Sequence, residues 1–160
     1  MNILLNKEPV RRVKDIISKF DSKINVITLN ATARTAKDAA HSLSCDVGAI
    51  VKSLLLRAEE TFFICLVAGD KRCSLNKLKK ILNEKDVCMA NANEVKENTG
   101  FTIGGVSPVA HIKKLDILVD KSLNRFSDIF AAAGHPNCVF KINYRELIKI
   151  TNGLEKEISE

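Results

Sequence analysis

Lys52 is the only charge in Val47-Gly-Ala-Ile-Val-Lys-Ser-Leu-Leu-Leu56, the longest weakly polar stretch of the chain. Strand alternation over Ile50, Lys52 and Leu54 sets the ammonium on a face shared with aliphatic side chains. Desolvating a lysine is expensive, so this one either meets an anion or snorkels back to water. A second chemical feature lies some fifty residues later, in Thr99-Gly-Phe-Thr-Ile-Gly-Gly-Val-Ser-Pro108. Gly104 and Gly105 permit positive φ and close approach of a ligand to the backbone. Consecutive N–H groups over Gly104, Gly105, Val106 and Ser107 can form a nest for an anion or an oxyanion. Ser107 adds a hydroxyl and Pro108 stiffens the exit. The competing reading is a plain structural turn. The loop matches neither a phosphate-binding Gly-Lys-Ser/Thr loop nor a dinucleotide fingerprint.

The three histidines are scattered. His111 follows the glycine loop closely enough to face the same site. His135 sits in Gly134-His-Pro-Asn137 between two strand-like runs, where a turn would fix it to donate a hydrogen bond or move a proton. A capped surface histidine is the bland equivalent, and His41 reads as surface. No His-x-x-x-His or His-Glu-x-x-His spacing exists, so no metal centre is expected. The five cysteines (45, 65, 73, 88 and 138) contain no Cys-x-x-Cys pair. Their odd count without a secretory signal points to reduced thiols, with Cys65 and Cys88 as small apolar residues in strand-like runs. A catalytic cysteine would need a histidine or a helix N-terminus beside it.

The elements that must position these residues follow from periodicity and turn signals. Pro9 opens a helix to Phe20 with Val10, Val13, Ile16, Ile17 and Phe20 on one face. A strand is expected over Ile24–Leu29, and a helix over Ala36–Leu43 capped by Thr35. Strands at Ala49–Arg57 and Phe62–Ala68 form a hairpin through Ala58-Glu-Glu-Thr61. A helix follows at Leu75–Leu82, then a strand at Val87–Ala90 and a helix over Asn91–Asn98 ended by Gly100 in the left-handed conformation. Strands at Ile117–Asp120, Asp128–Ala132 and Cys138–Asn143 precede a last helix, Tyr144–Thr151, stopped by Asn152-Gly153. The charged tail beyond it reads as frayed.

Mixed, irregular alternation predicts an α+β domain around one mixed sheet. With 160 residues the chain is long enough for one domain with its own core. A hydrophobic fraction of 46% with 28% charged residues is ordinary for a globular protein and argues against disorder. No run approaches the roughly 18 apolar residues of a membrane span, and no signal peptide is evident, so a cytoplasmic protein is expected. The net charge of +6 and pI near 9.1 favour a polyanionic partner, although the basic residues are dispersed.

The run Ala90-Asn-Ala-Asn-Glu-Val-Lys-Glu-Asn-Thr-Gly-Phe-Thr-Ile-Gly-Gly-Val-Ser-Pro-Val-Ala-His111 resembles the core signature of the YbaK/ProX-type proofreading family. That family includes the editing domain inserted in some bacterial prolyl-tRNA synthetases, and free-standing relatives. Val51-Lys-Ser-Leu-Leu55, Ala68-Gly-Asp70, Leu118-Val-Asp120 and Ala131-Ala-Ala-Gly134 extend the similarity in order, over Thr28 to Gly153.

The resemblance implies a single domain with a mixed, barrel-like sheet flanked by helices. It would hydrolyse the ester between a wrong amino acid and its tRNA, without a cofactor. Lys52 would meet the phosphate of the terminal adenosine, and the Gly104–Pro108 loop would offer N–H groups to the aminoacyl carbonyl. Thr32, His111, Gly134 and His135 would belong to the substrate pocket. Expected partners are the aminoacylated acceptor end of tRNA and a synthetase such as prolyl-tRNA synthetase. A non-catalytic binding module of the same fold and a small thiol-dependent enzyme are the alternatives. Two departures stand out. Ala110 occupies a position where the family motif often has Gly. Residues 131–137 read Ala-Ala-Ala-Gly-His-Pro-Asn, where relatives acting on cysteinyl-tRNA typically read Ser-Gly-Gly-Lys. The second departure argues against cysteine and for another small residue, such as alanine, serine or a non-protein amino acid.

Overall fold

The computed structural model describes residues 3–30 and 35–160. Helix α1 spans Glu8–Phe20, with Pro9 in its first turn and Val10, Val13 and Ile17 fully buried on one face. Strand β1 (Val26–Thr28) leads to α2 (Ala36–Leu43), where the Thr35 hydroxyl accepts from the Asp38 N–H at 3.1 Å as a helix cap. Strands β2 (Ile50–Ala58) and β3 (Thr61–Ala68) form the expected hairpin. Helix α3 (Leu75–Leu82), strand β4 (Val87–Met89) and helix α4 (Ala92–Thr99) follow. Asn91 and Glu94 make a reciprocal capping box at the start of α4, and Gly100 ends it at φ +79°. Strands β5 (Asp116–Asp120), β6 (Ile129–His135) and β7 (Cys138–Ile142) precede α5 (Tyr144–Thr151) and a short β8 (Leu154–Lys156).

These strands build one mixed sheet in the order β1-β7-β6-β2-β3-β5-β8, curled into a half-barrel with helices against it. The α+β expectation is met. Strand β2 is the organising element, because its outer edge is shared by two neighbours. Ile50 and Val51 pair in parallel with Phe130 and Ala131 of β6, whereas Leu56–Ala58 pair antiparallel with β4. Between those contacts the edge at Lys52–Leu54 faces neither strand. The Ile50 carbonyl accepts from Gly69 N–H on the β3 side, and the Leu55 carbonyl accepts from Ala90 N–H on the other. Alternation therefore turns the N–H and C=O of Ser53 toward the gap.

Alternation also divides the side chains of β2 between two faces. Val51 and Leu55 join the main core with Ile64, Leu66, Phe101 and the buried face of α1. Leu56 and Ala58 join a second cluster under α3, with Leu78 and Ile158. Two differences from the sequence reading concern chain ends. Strand β6 runs on through Gly134 and His135, so the turn falls at Pro136-Asn137; buried Ala133 and Gly134 and the pairing of His135 with Cys138 hold this extension in the sheet. The C-terminus is not frayed. Ile158 is fully buried, and the buried Asp120 carboxylate accepts from the Ile158 N–H at 2.8 Å and the Ser159 hydroxyl at 2.8 Å.

Candidate active site

The gap in the outer edge of β2 opens into a chamber of about 370 Å³. Ile50, Val51, Leu55, Val95 and Val139 make its walls apolar, while Met89, Ile103, Gly104 and Pro136 stand around it. Among the described residues, one polar side-chain atom there, the Ser53 hydroxyl, is buried without a hydrogen-bond partner. An orphaned buried hydroxyl costs about 1–3 kcal/mol, so it is a natural recognition point for a polar group of a ligand. Sequence reading passed over Ser53 because a serine inside an apolar strand is unremarkable there. The signal lay in its period, which puts it on the core face between Val51 and Leu55.

A second, larger cleft of about 1010 Å³ lies beside the chamber. Lys37, Lys52, Lys71 and Arg72 line it, against only Asp70 and Glu160. Asp70 is already engaged with Arg125 at 2.6 and 2.9 Å, and that guanidinium holds its carboxyl below the usual range. The groove is therefore cationic. Lys52 and Leu54 line both spaces, as do Thr35, Ala36 and Met89.

Lys52 is half-buried, and its Nζ donates to the Lys71 carbonyl. Burial pushes its pKa down from 10.5, opposed by Cys73 and Asp70 nearby. The ammonium has thus found a carbonyl dipole at the floor of the groove without a dedicated carboxylate. A phosphate oxygen arriving there would offer a stronger, charge-assisted partner.

The glycine loop closes the chamber from the other side, but its parts differ in role. Gly104 takes φ +95° and Val106 lines the chamber with it. Gly105 is buried against β6; a Cβ there would stand 3.0 Å from the His135 Cα. Its N–H is already taken by the Thr102 carbonyl at 2.9 Å, so it closes the turn and offers no donor to a ligand. Among the described residues, the Val106 and Ser107 N–H groups have no such acceptor. The Ser107 side chain is buried and accepts from the Val109 N–H at 3.3 Å, and Pro108 is buried behind it. Neither lines the chamber.

His111 lies behind the loop. Its Nε2 donates to the Ser107 carbonyl at 2.7 Å, and its ring packs edge-on to Phe101. Burial lowers its pKa below 6.5, despite the hydrogen bond to Ser107. The ring is a neutral brace for the loop, not a chamber wall. His135 accepts the Asn137 N–H on Nδ1 at 3.0 Å, which leaves the proton on Nε2. Burial and then Lys7 keep it below 6.5. It ends β6 beside Gly105, next to Pro136 at the chamber. Gly134, at φ +93°, admits the start of α1, since a Cβ would meet the Pro9 carbonyl oxygen at 2.7 Å. Thr32 lies outside the described residues.

Among the cysteines only Cys73 borders the cationic cleft. A hydrogen bond from Cys65 and the Lys52 charge draw its pKa down against burial, while Cys65 is pushed up. No histidine figures among the groups acting on either thiol. Among the described residues, no cluster of three or more His, Cys, Asp or Glu could hold a metal ion. No described helix is long and apolar enough to cross a membrane.

Comparison with known proteins agrees with this geometry. Residues 30–150 match the model of the aminoacyl-tRNA editing domain. Uncharacterized protein YwhH of Bacillus subtilis is 30% identical over 139 residues, covering 86% of this chain and 88% of the relative. Proline--tRNA ligase of Kosmotoga olearia is 39% identical over 87 residues, 54% of this chain but 15% of the ligase. A solved structure of a candidate trans-editing enzyme for prolyl tRNA synthetase superposes with a TM-score of 0.90 at 34% identity, over 96% of this chain and 98% of that one. This chain belongs to the aminoacyl-tRNA editing domain family.

Proposed function

We propose that the protein is a free-standing aminoacyl-tRNA deacylase, acting on tRNA-Pro that carries a small wrong amino acid. The observation that carries this reading is the position of Lys52, shared by a cationic groove and an apolar chamber that holds one unpaired hydroxyl. An aminoacylated 3′ end has that same division, with phosphates on one side of the ester and a side chain on the other. The ligase and trans-editing relatives point to the proline system.

In this reading the terminal phosphate takes the Lys52 ammonium from the Lys71 carbonyl. The amino-acid side chain enters the chamber, and the Ser53 hydroxyl meets a polar atom of the aminoacyl group. The ester carbonyl lies at Gly104 and Val106 of the loop, where the Val106 N–H receives charge as it develops on oxygen. Water adds to the carbonyl carbon. The tetrahedral intermediate collapses by breaking the acyl–oxygen bond, releasing the amino acid, and the ribose oxygen leaves as a hydroxyl with a proton from the water. The neighbouring ribose hydroxyl helps to activate that water. An ester is labile enough for placement and oxyanion stabilisation to suffice, so no protein nucleophile is needed. His135, next to Pro136 of the chamber lining and with its proton on Nε2, selects among amino acids. The Ala131-Ala-Ala-Gly-His-Pro-Asn137 stretch favours alanine, serine or a small non-protein amino acid over cysteine. Prolyl-tRNA synthetase is the expected partner in the cell.

The test is a single-turnover deacylation panel on tRNA-Pro charged with alanine, cysteine, serine, threonine or proline. Selective loss of one mischarged species is expected, and His135→Ala shifts the preference more than the summed rate. Binding of charged tRNA with no loss of any ester would overturn catalysis and leave a binding module.

A further inference from the structure

We infer that Arg12 is a positioning residue for the 99–111 loop, and that α1 thereby acts as the mechanical support of the site. The inference rests on the deacylase reading for its effect on rate, but not for the clamp itself. Beyond α4, which ends at Thr99, residues 100–111 form no helix or strand of their own. The base of this loop is closed by two backbone bonds, Ile112 N–H to Thr99 carbonyl and Lys113 N–H to Asn98 carbonyl, both 3.2 Å.

One side chain from outside then grips both ends. Arg12 Nη2 donates to the Thr99 carbonyl at 3.2 Å and Nε donates to the Ala110 carbonyl at 2.7 Å. Its guanidinium lies 4.6 Å over the Phe101 ring, and Nη1 is held by Glu8, one helical turn earlier, at 2.5 and 2.7 Å. Phe101 passes the contact on. Its ring meets His111 edge-on, and His111 donates to the carbonyl of Ser107. The path therefore runs from α1 to the Ser107 carbonyl, on the residue after Val106 of the chamber lining. The same helix backs β6 at Gly134, against which Gly105 packs. Both walls around the loop thus refer to α1, which lies entirely before the residues matching the editing-domain model.

A planar fork is required to reach two carbonyls and a ring at once, which lysine cannot do. Misplacing reacting groups by about 1 Å can lower a rate roughly 100-fold. For Arg12→Ala in the full chain, we expect kcat on the mischarged substrate to fall roughly 30- to 100-fold with KM within about twofold. Arg12→Lys should recover only part of this, and Lys14→Ala, on the same helix but exposed, none of the defect should appear. In the ligand-free variant, amides 102–110 should exchange with solvent at least about tenfold faster while β2 and β3 amides are unchanged. Unchanged loop exchange, or acceleration of all amides alike, would overturn the clamp. Faster loop exchange with unaltered turnover would overturn its role in positioning. If Arg12→Ala does not fold, Phe101→Leu, which keeps bulk but removes the aromatic face, must show the same exchange pattern or the inference fails. A wild-type protein without deacylase activity would sink the functional reading and leave the exchange test of the clamp standing.

Discussion

The Ser53 hydroxyl is the residue whose structural cost and functional use pull in opposite directions. It is buried and has no partner among the described residues, so Ser53→Ala should raise stability by about 1 kcal/mol while lowering deacylation. Thermal unfolding and single-turnover rates on one preparation check both; a variant that is less stable and equally active would show that the hydroxyl has an internal role. Lys52 could be singled out in the sequence, since a lone charge in an apolar strand must meet an anion or reach water; the structure gives it the Lys71 carbonyl. Ser53 could not, because its orphan state depends on a gap between β4 and β6 that only long-range pairing creates. Ala110 belongs with them. It takes φ +64°, a left-handed backbone that suits Gly and costs an L-residue about 1 kcal/mol. The departure from the family motif is thus a strained substitution at a position that Arg12 holds.

Local signals served well for elements whose ends are capped by near neighbours. Helix α2 begins at the Thr35 cap and α5 occupies Tyr144–Thr151, as their residue patterns predicted. Elements whose extent is set by pairing or packing rather than by caps were misjudged. Strand β6 overran its expected end by pairing His135 with Cys138 past an irregularity in register. The tail was expected to fray, yet β8 adds to β5 and Ile158 fills the cluster beneath α3. Ile158→Ala should therefore cost about 2–4 kcal/mol, read as a shift in denaturant midpoint; a shift within error would return the tail to a surface role. The Asp120 carboxyl that holds this tail sits below 3.8, since hydrogen bonds from Ser122, Ile158 and Ser159 outweigh its burial. Its contribution is present at neutral pH and disappears as pH falls through that lowered value.

Across the whole molecule, two partly buried histidines add to the acid sensitivity. His111 and His135 both lie below 6.5 in the folded protein, chiefly through desolvation. Folding is then favoured above the unfolded value of 6.5 and weakened as pH falls below it, because the unfolded chain binds those protons more readily. Melting temperature should decline from pH 7 toward pH 5, and His111→Gln should flatten part of the decline. An unchanged slope in that variant would assign the effect elsewhere. The same global view explains why dispersed basic residues gave only a weak hint in the sequence. Lys37, Lys52, Lys71 and Arg72 become one groove only when α2, β2 and the turn after β3 meet.

The central claim is that Lys52 joins this cationic groove to the apolar chamber, so that one holds a phosphate while the other holds the aminoacyl ester. It is tested most directly by comparing two minimal substrates, the aminoacyl ester of adenosine and that of adenosine 5′-phosphate, on wild type and Lys52→Ala. The account predicts that wild type prefers the phosphate-bearing ester by about tenfold or more, a coupling of roughly 1.4 kcal/mol, and that Lys52→Ala treats the two alike while remaining folded. Equal discrimination by both proteins would contradict it.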